Sequence, residues 1–372
     1  MTLLLAGDIG SQTTLLLVET QAEKVQARSD LSILYEAHYP IRSYSDLKGI
    51  VQKFMADAPQ PSDIPLKPQK ACFAVPGPVF KNTVELTNLS LGWSQLQAKS
   101  LEEEVDIAQI SLINDFEAVC YGIHFINKSD LYCLQEGQCH KEQSQECSRM
   151  AVIGVGTGLG EASLIDRKND IEVYASEGGH SDFAPRSERE FQLSQYLRRK
   201  YRRENNPPHI SVERVVSGPG IVDIYQFLRD ECQVSSQVPD IDREIKTWKV
   251  ETEDKQSGFA ASVTPAAEIA KAALFKTDPL CEQTMNMFLE AYGSEAGNFA
   301  LKLLPYGGLY VAGGITPRIL PLLENDENDE GIFLKAFKQK GRMSKLLEKI
   351  PVYVVLDFQA GLLGAAICAA RL

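Results

Sequence analysis

Ala151-Val152-Ile153-Gly154-Val155-Gly156-Thr157-Gly158-Leu159-Gly160-Glu161-Ala162-Ser163-Leu164-Ile165 reads as an apolar strand, a glycine-rich turn and a second apolar strand. The same order occurs once before, where Leu3–Asp8 runs into Ile9-Gly10-Ser11 and resumes at Thr14–Glu19. The copies are too diverged to be a repeat by identity and too distant for a solenoid. A duplicated fold of two lobes with a cleft between them accounts for both. At 372 residues the chain is also long for a single core.

Outward from these two copies, strand and helix signals alternate, which is the pattern of an α/β fold. Leu31–Tyr35, Ala71–Val75, Ile110–Ile113, Ile171–Tyr174, Leu309–Ala312 and Val352–Leu356 read as further strands. Leu47–Ala56, Leu101–Val105, Ile221–Cys232, Pro265–Ala273, Glu282–Leu304 and the small-residue run Gly361–Ala370 read as helices. Ser187-Glu188-Arg189-Glu190 is a capping box that predicts a helix through about Arg203. Asn127–Arg149 and Val234–Ser262 are polar, lack a sustained period and read as loops or insertions.

Composition bounds the function. A net charge of −12 argues against a general nucleic-acid or anionic-membrane partner. No apolar run is long enough to span a bilayer, and the first residues carry no basic n-region, so no secretory signal is expected. Cysteines stand at 72, 120, 133, 139, 147, 232, 281 and 368, without a disulfide-framework spacing, which points to a reduced, cytoplasmic protein. Cys133, Cys139, His140 and Cys147 share one polar stretch, but the tight C-x₂₋₄-C pairs of structural zinc sites are missing, and no metal is expected there. The basic run Arg198-Arg199-Lys200-Tyr201-Arg202-Arg203 falls at the end of the capped helix, where cations are favoured; a dimer contact or an anionic regulator is the other use for it.

Four segments carry possible chemistry. Leu112-Ile113-Asn114-Asp115-Phe116 places a carboxylate at the end of an apolar strand, although Asn-Asp there also suits a turn or a helix N-cap. Glu177-Gly178-Gly179-His180 sets a carboxylate and an imidazole on a glycine turn, where charged groups gain little from packing. The two glycine turns can present successive backbone N–H groups to phosphate, with Thr157 adding a hydroxyl, though such a turn alone is often only a tight turn. Neither is a Rossmann fingerprint, because a strand follows Gly158 and the third glycine is out of register; a P-loop sequence is also lacking. Together the groups suit phosphoryl transfer to a polyhydroxyl acceptor. A carboxylate accepts the hydroxyl proton, and fixed N–H dipoles meet the developing charge.

The chain resembles the bacterial-type glucokinases, the group without the zinc-binding cysteine motif of the related repressor-and-kinase family. The resemblance rests on Gly7-Asp8-Ile9-Gly10, Leu86-Thr87-Asn88, Ile113-Asn114-Asp115-Phe116, Gly156-Thr157-Gly158-Leu159-Gly160 and Glu177-Gly178-Gly179-His180-Ser181-Asp182-Phe183-Ala184-Pro185. It continues through Glu213–Gly220, Ala312-Gly313-Gly314-Ile315 and Gly361-Leu362-Leu363-Gly364, in the family's order. It implies a two-lobed, actin-like ATPase (ribonuclease H-like) fold that binds sugar and ATP in the interlobe cleft. Residues 1–124 with 358–372 would form the small lobe and 125–357 the large one. The expected reaction is ATP-dependent phosphorylation of D-glucose at the 6-hydroxyl. By motif, Asp115 is the base, and Asn114, Glu177, His180 and Glu213 bind sugar hydroxyls. Gly7, Asp8, Ile9, Gly10, Ser11, Gln12, Gly156, Thr157 and Gly158 belong to the phosphate loops, and Gly313 and Gly314 face the adenosine. Asp8 is expected to hold Mg²⁺ through a water. Family members are often homodimers, and the same is expected here.

One departure stands out. The family's first loop usually reads Asp-x-Gly-Gly-Thr, whereas this chain has Asp8-Ile9-Gly10-Ser11-Gln12. Gln12 replaces a hydroxyl donor with a longer amide, so either Thr13 compensates or turnover is slow. Kinase activity on another hexose, or a weakly active sugar-binding paralogue, are the alternative readings.

Overall fold

The structure is a computed structural model that describes residues 2–10, 12–22, 25, 27–59, 67–86, 93, 95–137, 148–167, 171–202, 209–236, 241–247, 265–324 and 330–372. Two sheets organise it. The first contains β1 (Thr2–Asp8), β2 (Gln12–Thr20), β3 (Leu31–Pro40), β4 (Lys70–Val75) and β8 (Gln109–Asn114), in the order β3-β2-β1-β4-β8. β1 and β2 pair antiparallel, as do β2 and β3, while β4 and β8 add parallel strands on the other side of β1. The short strands β5 (Val79–Phe80), β6 (Thr83–Glu85) and β7 (Gln95–Gln97) form a separate three-stranded sheet.

The second large sheet contains β9 (Leu131–Gln135), β10 (Ser148–Val155), β11 (Leu159–Asp166), β12 (Ile171–Ser176), β13 (Gly308–Ala312) and β14 (Val352–Val355), in the order β12-β11-β10-β13-β14-β9. Its first five strands repeat the order of the first sheet, position for position. The strand-turn-strand restart at residue 150 is therefore the start of a second copy of the same α/β topology. β9 is the sixth strand, and it lies inside the stretch 127–149 that reads as a loop from sequence. Likewise a short helix, α6 (241–247), occupies part of the 234–262 stretch.

Contact density divides the chain into one unit of Met1–Leu131, Ala162–Ser176 and Asp357–Leu372 and a second of Tyr132–Glu161 and Glu177–Leu356. In the first unit, alternation along the strands feeds two apolar layers. Leu5, Leu15, Leu17, Ala71, Phe73 and Val75 face α1 (Leu47–Asp57) and α2 (Ala98–Val105). Leu4, Ala6, Leu16, Val18, Cys72 and Ala74 face α3 (Asp115–His124) and the C-terminal helix. α1 starts where Asp46 accepts a hydrogen bond from Gly49 N–H at 2.8 Å, and it buries Leu47, Ile50, Val51 and Phe54 at helical spacing. The C-terminal helix lies very close to α3: a Cβ at Gly364 would fall 1.7 Å from the Ala118 carbonyl oxygen. Only a bare glycine permits that approach.

The second unit is built around α8 (Pro279–Leu303), which Asp278 caps through Leu280 and Cys281 N–H and which buries Phe288, Tyr292, Ala296 and Ala300. α5 (Gly218–Asp230) and α7 (Pro265–Leu274) belong to the same core, with α9 (Leu320–Leu323), α10 (Ile332–Lys338) and α11 (Ser344–Leu347) completing it. α12 (Ala360–Arg371) is the C-terminal helix already placed in the first unit. α4 (Glu188–Lys200) opens at the Ser187 cap, as its capping box predicts, and stops at Lys200. Its basic end is largely absorbed by neighbours: Lys200 pairs with Asp223, Tyr201 Oη donates to Asp223 at 2.6 Å, and Arg199 meets Glu231 at 3.1 Å. Arg203 lies outside the described residues, as does the 138–147 part of the cysteine-rich stretch.

One buried pair in this core carries a stability prediction. Glu161 on β11 and Glu295 on α8 are 2% and 6% exposed, and each has an Oε1 without a hydrogen-bond partner among the described residues. Burial, reinforced by the Glu295 charge, pushes the Glu161 carboxyl from 4.5 up to about 8. The folded form thus holds its proton more tightly than the unfolded form. The stabilisation is complete below about 4.5 and is lost as pH rises through about 8. Raising the pH from 7 to 9 is expected to cost about 1 kcal/mol of stability, measured by urea unfolding. Glu161→Gln should flatten that slope, and an unchanged slope in the variant would exclude Glu161 as its source.

Candidate active site

In the first unit the candidate groups stand at strand ends. Asp8 ends β1 with solvent reaching its side chain, and the mass of chain around it pushes its carboxyl up to about 6. Ile9 N–H donates to the Ala74 carbonyl at 2.8 Å, which fixes the start of the first glycine turn against β4. Ser11 lies outside the described residues. Gln12 is exposed at the head of β2, whereas Thr13 is fully buried, its Oγ1 without a partner among the described residues. Thr13 is turned into the core, so it does not supply the hydroxyl that Gln12 lacks.

Two strands away, β8 delivers Asn114 and Asp115. Asn114 Oδ1 accepts from Phe116 N–H at 2.9 Å and Glu117 N–H at 3.3 Å, and its Nδ2 donates to the Gly77 carbonyl at 3.3 Å. It is 6% exposed. The Asn-Asp pair is thus an N-cap and the start of a helix at once, and much of the Asn114 carboxamide is spent on capping. Asp115 is the first residue of α3, half-buried, with one carboxylate oxygen accepting from Phe116 N–H at 3.0 Å. The helix dipole favours negative charge there. Beside it, burial pushes the Glu117 carboxyl upward, opposed by a hydrogen bond from the Asn114 backbone.

The second unit ties its candidate groups into one piece. β10 ends at Val155, and the turn closes with Gly156 N–H donating to the Gly158 carbonyl at 2.9 Å. Gly218 N–H, at the start of α5, donates to the Gly156 carbonyl at 2.9 Å, so the N-terminal end of a 13-residue helix meets the turn. That arrangement favours an anion. Ile315 N–H donates to the Val155 carbonyl at 3.1 Å, which brings Gly313-Gly314 to the same strand end; Gly313 has φ +90 and its Cβ position is filled by Val155 backbone. Thr157 is exposed at the tip.

Glu213 joins this turn to the second motif. Its Oε2 accepts from Leu159 N–H at 2.9 Å and occupies the space a Cβ on Gly158 would need. The 3-10 turns Gly178–His180 and Val212–Arg214 lie together, held by Val212 N–H to the Ser181 carbonyl at 2.9 Å. Glu177 and His180 approach to 3.7 Å, both about half exposed. Burial pushes the Glu177 carboxyl up and the Glu213 charge adds to this, while His180 opposes it. Two carboxylates and an imidazole therefore converge beside the second glycine turn, an acceptor-rich surface for hydroxyls.

With this geometry in hand, the relatives are informative. The glucokinase family model matches residues 5–372. A glucokinase from Trichormus variabilis is 51% identical over the full length of both chains, and one from Synechocystis sp. is 44% identical over 99% of this chain and 98% of the relative. This chain belongs to the glucokinase family. A crystal structure of a glucokinase from an Antarctic psychrotroph aligns over 100% of both chains, with a TM-score of 0.73 and 28% identity. The fold is accordingly the actin-like α/β fold of that family.

The structure also forms a hollow that sequence reading does not place. Next to Ile315, a cavity of about 250 Å³ is lined by Ile221, Ala266, Ala270, Lys271 and Arg318. Ala266 and Ala270 share one face of α7 at i, i+4, the only sequence signal for it, and small residues at that spacing are ordinary in any packed helix.

Proposed function

We propose that the chain transfers the γ-phosphoryl group of ATP to the 6-hydroxyl of D-glucose. The observation that carries this reading is Glu213. One carboxylate both grips the second glycine turn through Leu159 and stands beside Glu177 and His180, so phosphate-facing backbone and sugar-facing side chains share a single braced unit. Membership of the glucokinase family supports it.

In this reading Asp115 accepts the proton of the attacking hydroxyl, and Asn114, Glu177, His180 and Glu213 hold the remaining hydroxyls. A sugar lacking one of those hydroxyls would leave a carboxylate unpaired, which gives discrimination that an apolar pocket could not. The Gly7–Gln12 and Gly156–Gly158 turns present N–H groups to the phosphates, the α5 N-terminus adding its dipole. The mostly aliphatic cavity beside Gly313, Gly314 and Ile315 suits a purine face, with Lys271 and Arg318 at hand. Among the described residues no group of three His, Cys, Asp or Glu could hold a metal. One carboxylate at Asp8 nonetheless fits Mg²⁺, which uses one or two carboxylates together with substrate phosphates and waters. Bound there, Mg²⁺ supplies charge neutralisation of the phosphates.

No described helix is long and apolar enough to cross a membrane, and the described cysteines are free thiols. A coupled assay with ATP, Mg²⁺ and a hexose panel tests the function: glucose should give the highest kcat/KM, and a higher value for another hexose would replace the substrate.

The altered first loop makes a separate prediction. With Thr13 buried, Gln12 must reach the phosphates with an amide where the family has a threonine hydroxyl, and ordering its side chain costs up to about 2 kcal/mol of rotamer entropy. Ser11→Gly with Gln12→Thr should raise kcat/KM for MgATP at saturating glucose and leave glucose affinity unchanged. Loss of a robust activity in that variant would identify Ser11 and Gln12 as a working phosphate grip.

A further inference from the structure

β8 is the edge strand of the first sheet, so one row of its backbone groups has no neighbouring strand among the described residues. Side chains fill that row. Asn82 Nδ2 donates to the Ile110 carbonyl at 2.8 Å, and Asn82 Oδ1 accepts from Leu112 N–H at 2.7 Å. Ile110 N–H donates to Glu102 Oε1 at 3.0 Å. A single carboxamide thus makes the donor-acceptor pair that a neighbouring strand would make, two residues before Asn114 and three before Asp115. Asn82 is itself fixed: it sits in the β5–β6 turn with φ +57, a left-handed conformation that asparagine tolerates, and its carbonyl accepts from Ala98 N–H at 3.1 Å at the head of α2.

We propose that Asn82 is a positioning residue for phosphoryl transfer, a side-chain substitute for a missing strand that holds the end of β8 and thereby aims Asp115. It rests on the reading of Asp115 as the base. α3 starts at Asp115 directly after the strand, so a tilt of the β8 end moves the carboxylate with it. Displacements of about 1 Å at a reacting group cost up to about 10²-fold in rate. Nucleotide-facing groups in the second unit do not depend on Asn82.

Asn82→Gly is the informative variant, because glycine keeps the left-handed backbone and the bond to Ala98 while removing both carboxamide bonds. The expected result is a kcat about tenfold lower, with the KM for MgATP within about twofold of wild type and a loss of glucose affinity, through Asn114 at the same strand end, smaller than the loss of kcat. Combined with Asp115→Asn, Asn82→Gly should produce no further loss, since it acts through the group already removed. An unchanged kcat, or an equal proportional loss in the Asp115→Asn background, overturns the proposal. Wild-type turnover in Asp115→Asn alone would instead remove the base and leave the Asn82 bonds as they are. If Asn82→Gly does not fold, native-state hydrogen exchange on the wild-type protein decides: the Leu112 amide should be protected like those of inner strands, and rapid exchange there overturns the proposal.

Discussion

Replacing Asp115 by asparagine is expected to lower kcat by roughly 10²-fold or more, because the amide cannot accept the proton of the attacking hydroxyl. The substitution is nearly isosteric, and an amide oxygen can still accept the Phe116 N–H that now meets Asp115 at 3.0 Å. Asn114 remains the cap of α3, so the helix start should survive. Glucose affinity, by calorimetry without nucleotide, should change by only a few-fold. That split between kcat and binding separates a base from a structural carboxylate. Near-wild-type turnover in the purified, folded variant would sink the assignment.

What was legible in the sequence follows from where water is excluded. The strands around residues 3–19 and 150–165 are buried on both faces, so their apolar runs are long and the glycines between them stand out. The small-residue run at 361–370 was legible as a helix, but not its reason, which is the contact between Gly364 and the Ala118 carbonyl. β9 was missed because Leu131-Tyr132-Cys133-Leu134-Gln135 is an edge strand with only Leu134 buried, and its alternation is too weak to separate from a loop. Asn114-Asp115 reads from sequence as a turn or a helix N-cap, and in the structure Asn114 caps α3, which begins at Asp115.

The site followed the same division. Residues on the family's motifs, Glu213 among them, are named from sequence, whereas what a residue does through a distant bond is not legible there. Asn82 lies 30 residues from its partner Leu112 and carries only the signal of a turn residue. Glu213 alone reads as a surface charge, and its part in the glycine turn exists only through a bond spanning 54 residues. Thr13 shows the reverse error. Beside Gln12 it looked available for phosphate, but the two-residue period of β2 turns it inward.

That bond across 54 residues makes Gly158 a position where an added methyl group tests the site rather than the fold. A Cβ added to Gly158 would fall 2.4 Å from Glu213 Oε2, so Gly158→Ala forces the carboxylate aside. The atom struck is the end of a flexible side chain, and the backbone is not in a left-handed conformation, so the fold should survive with a small change in melting temperature. What is lost is the hydrogen bond from Leu159 N–H at 2.9 Å together with the placement of a sugar acceptor beside Glu177. Hydrogen bonds to a charged group contribute about 1.5–3 kcal/mol, so glucose affinity should fall by roughly 10- to 10²-fold. Glu213→Gln keeps an acceptor for Leu159 without the charge and should lose less. Calorimetric titration of both variants with glucose, in the absence of nucleotide, distinguishes the contributions. If Gly158→Ala binds glucose as wild type does, the Glu213 carboxylate is not part of the sugar site, and its only work is to brace the turn.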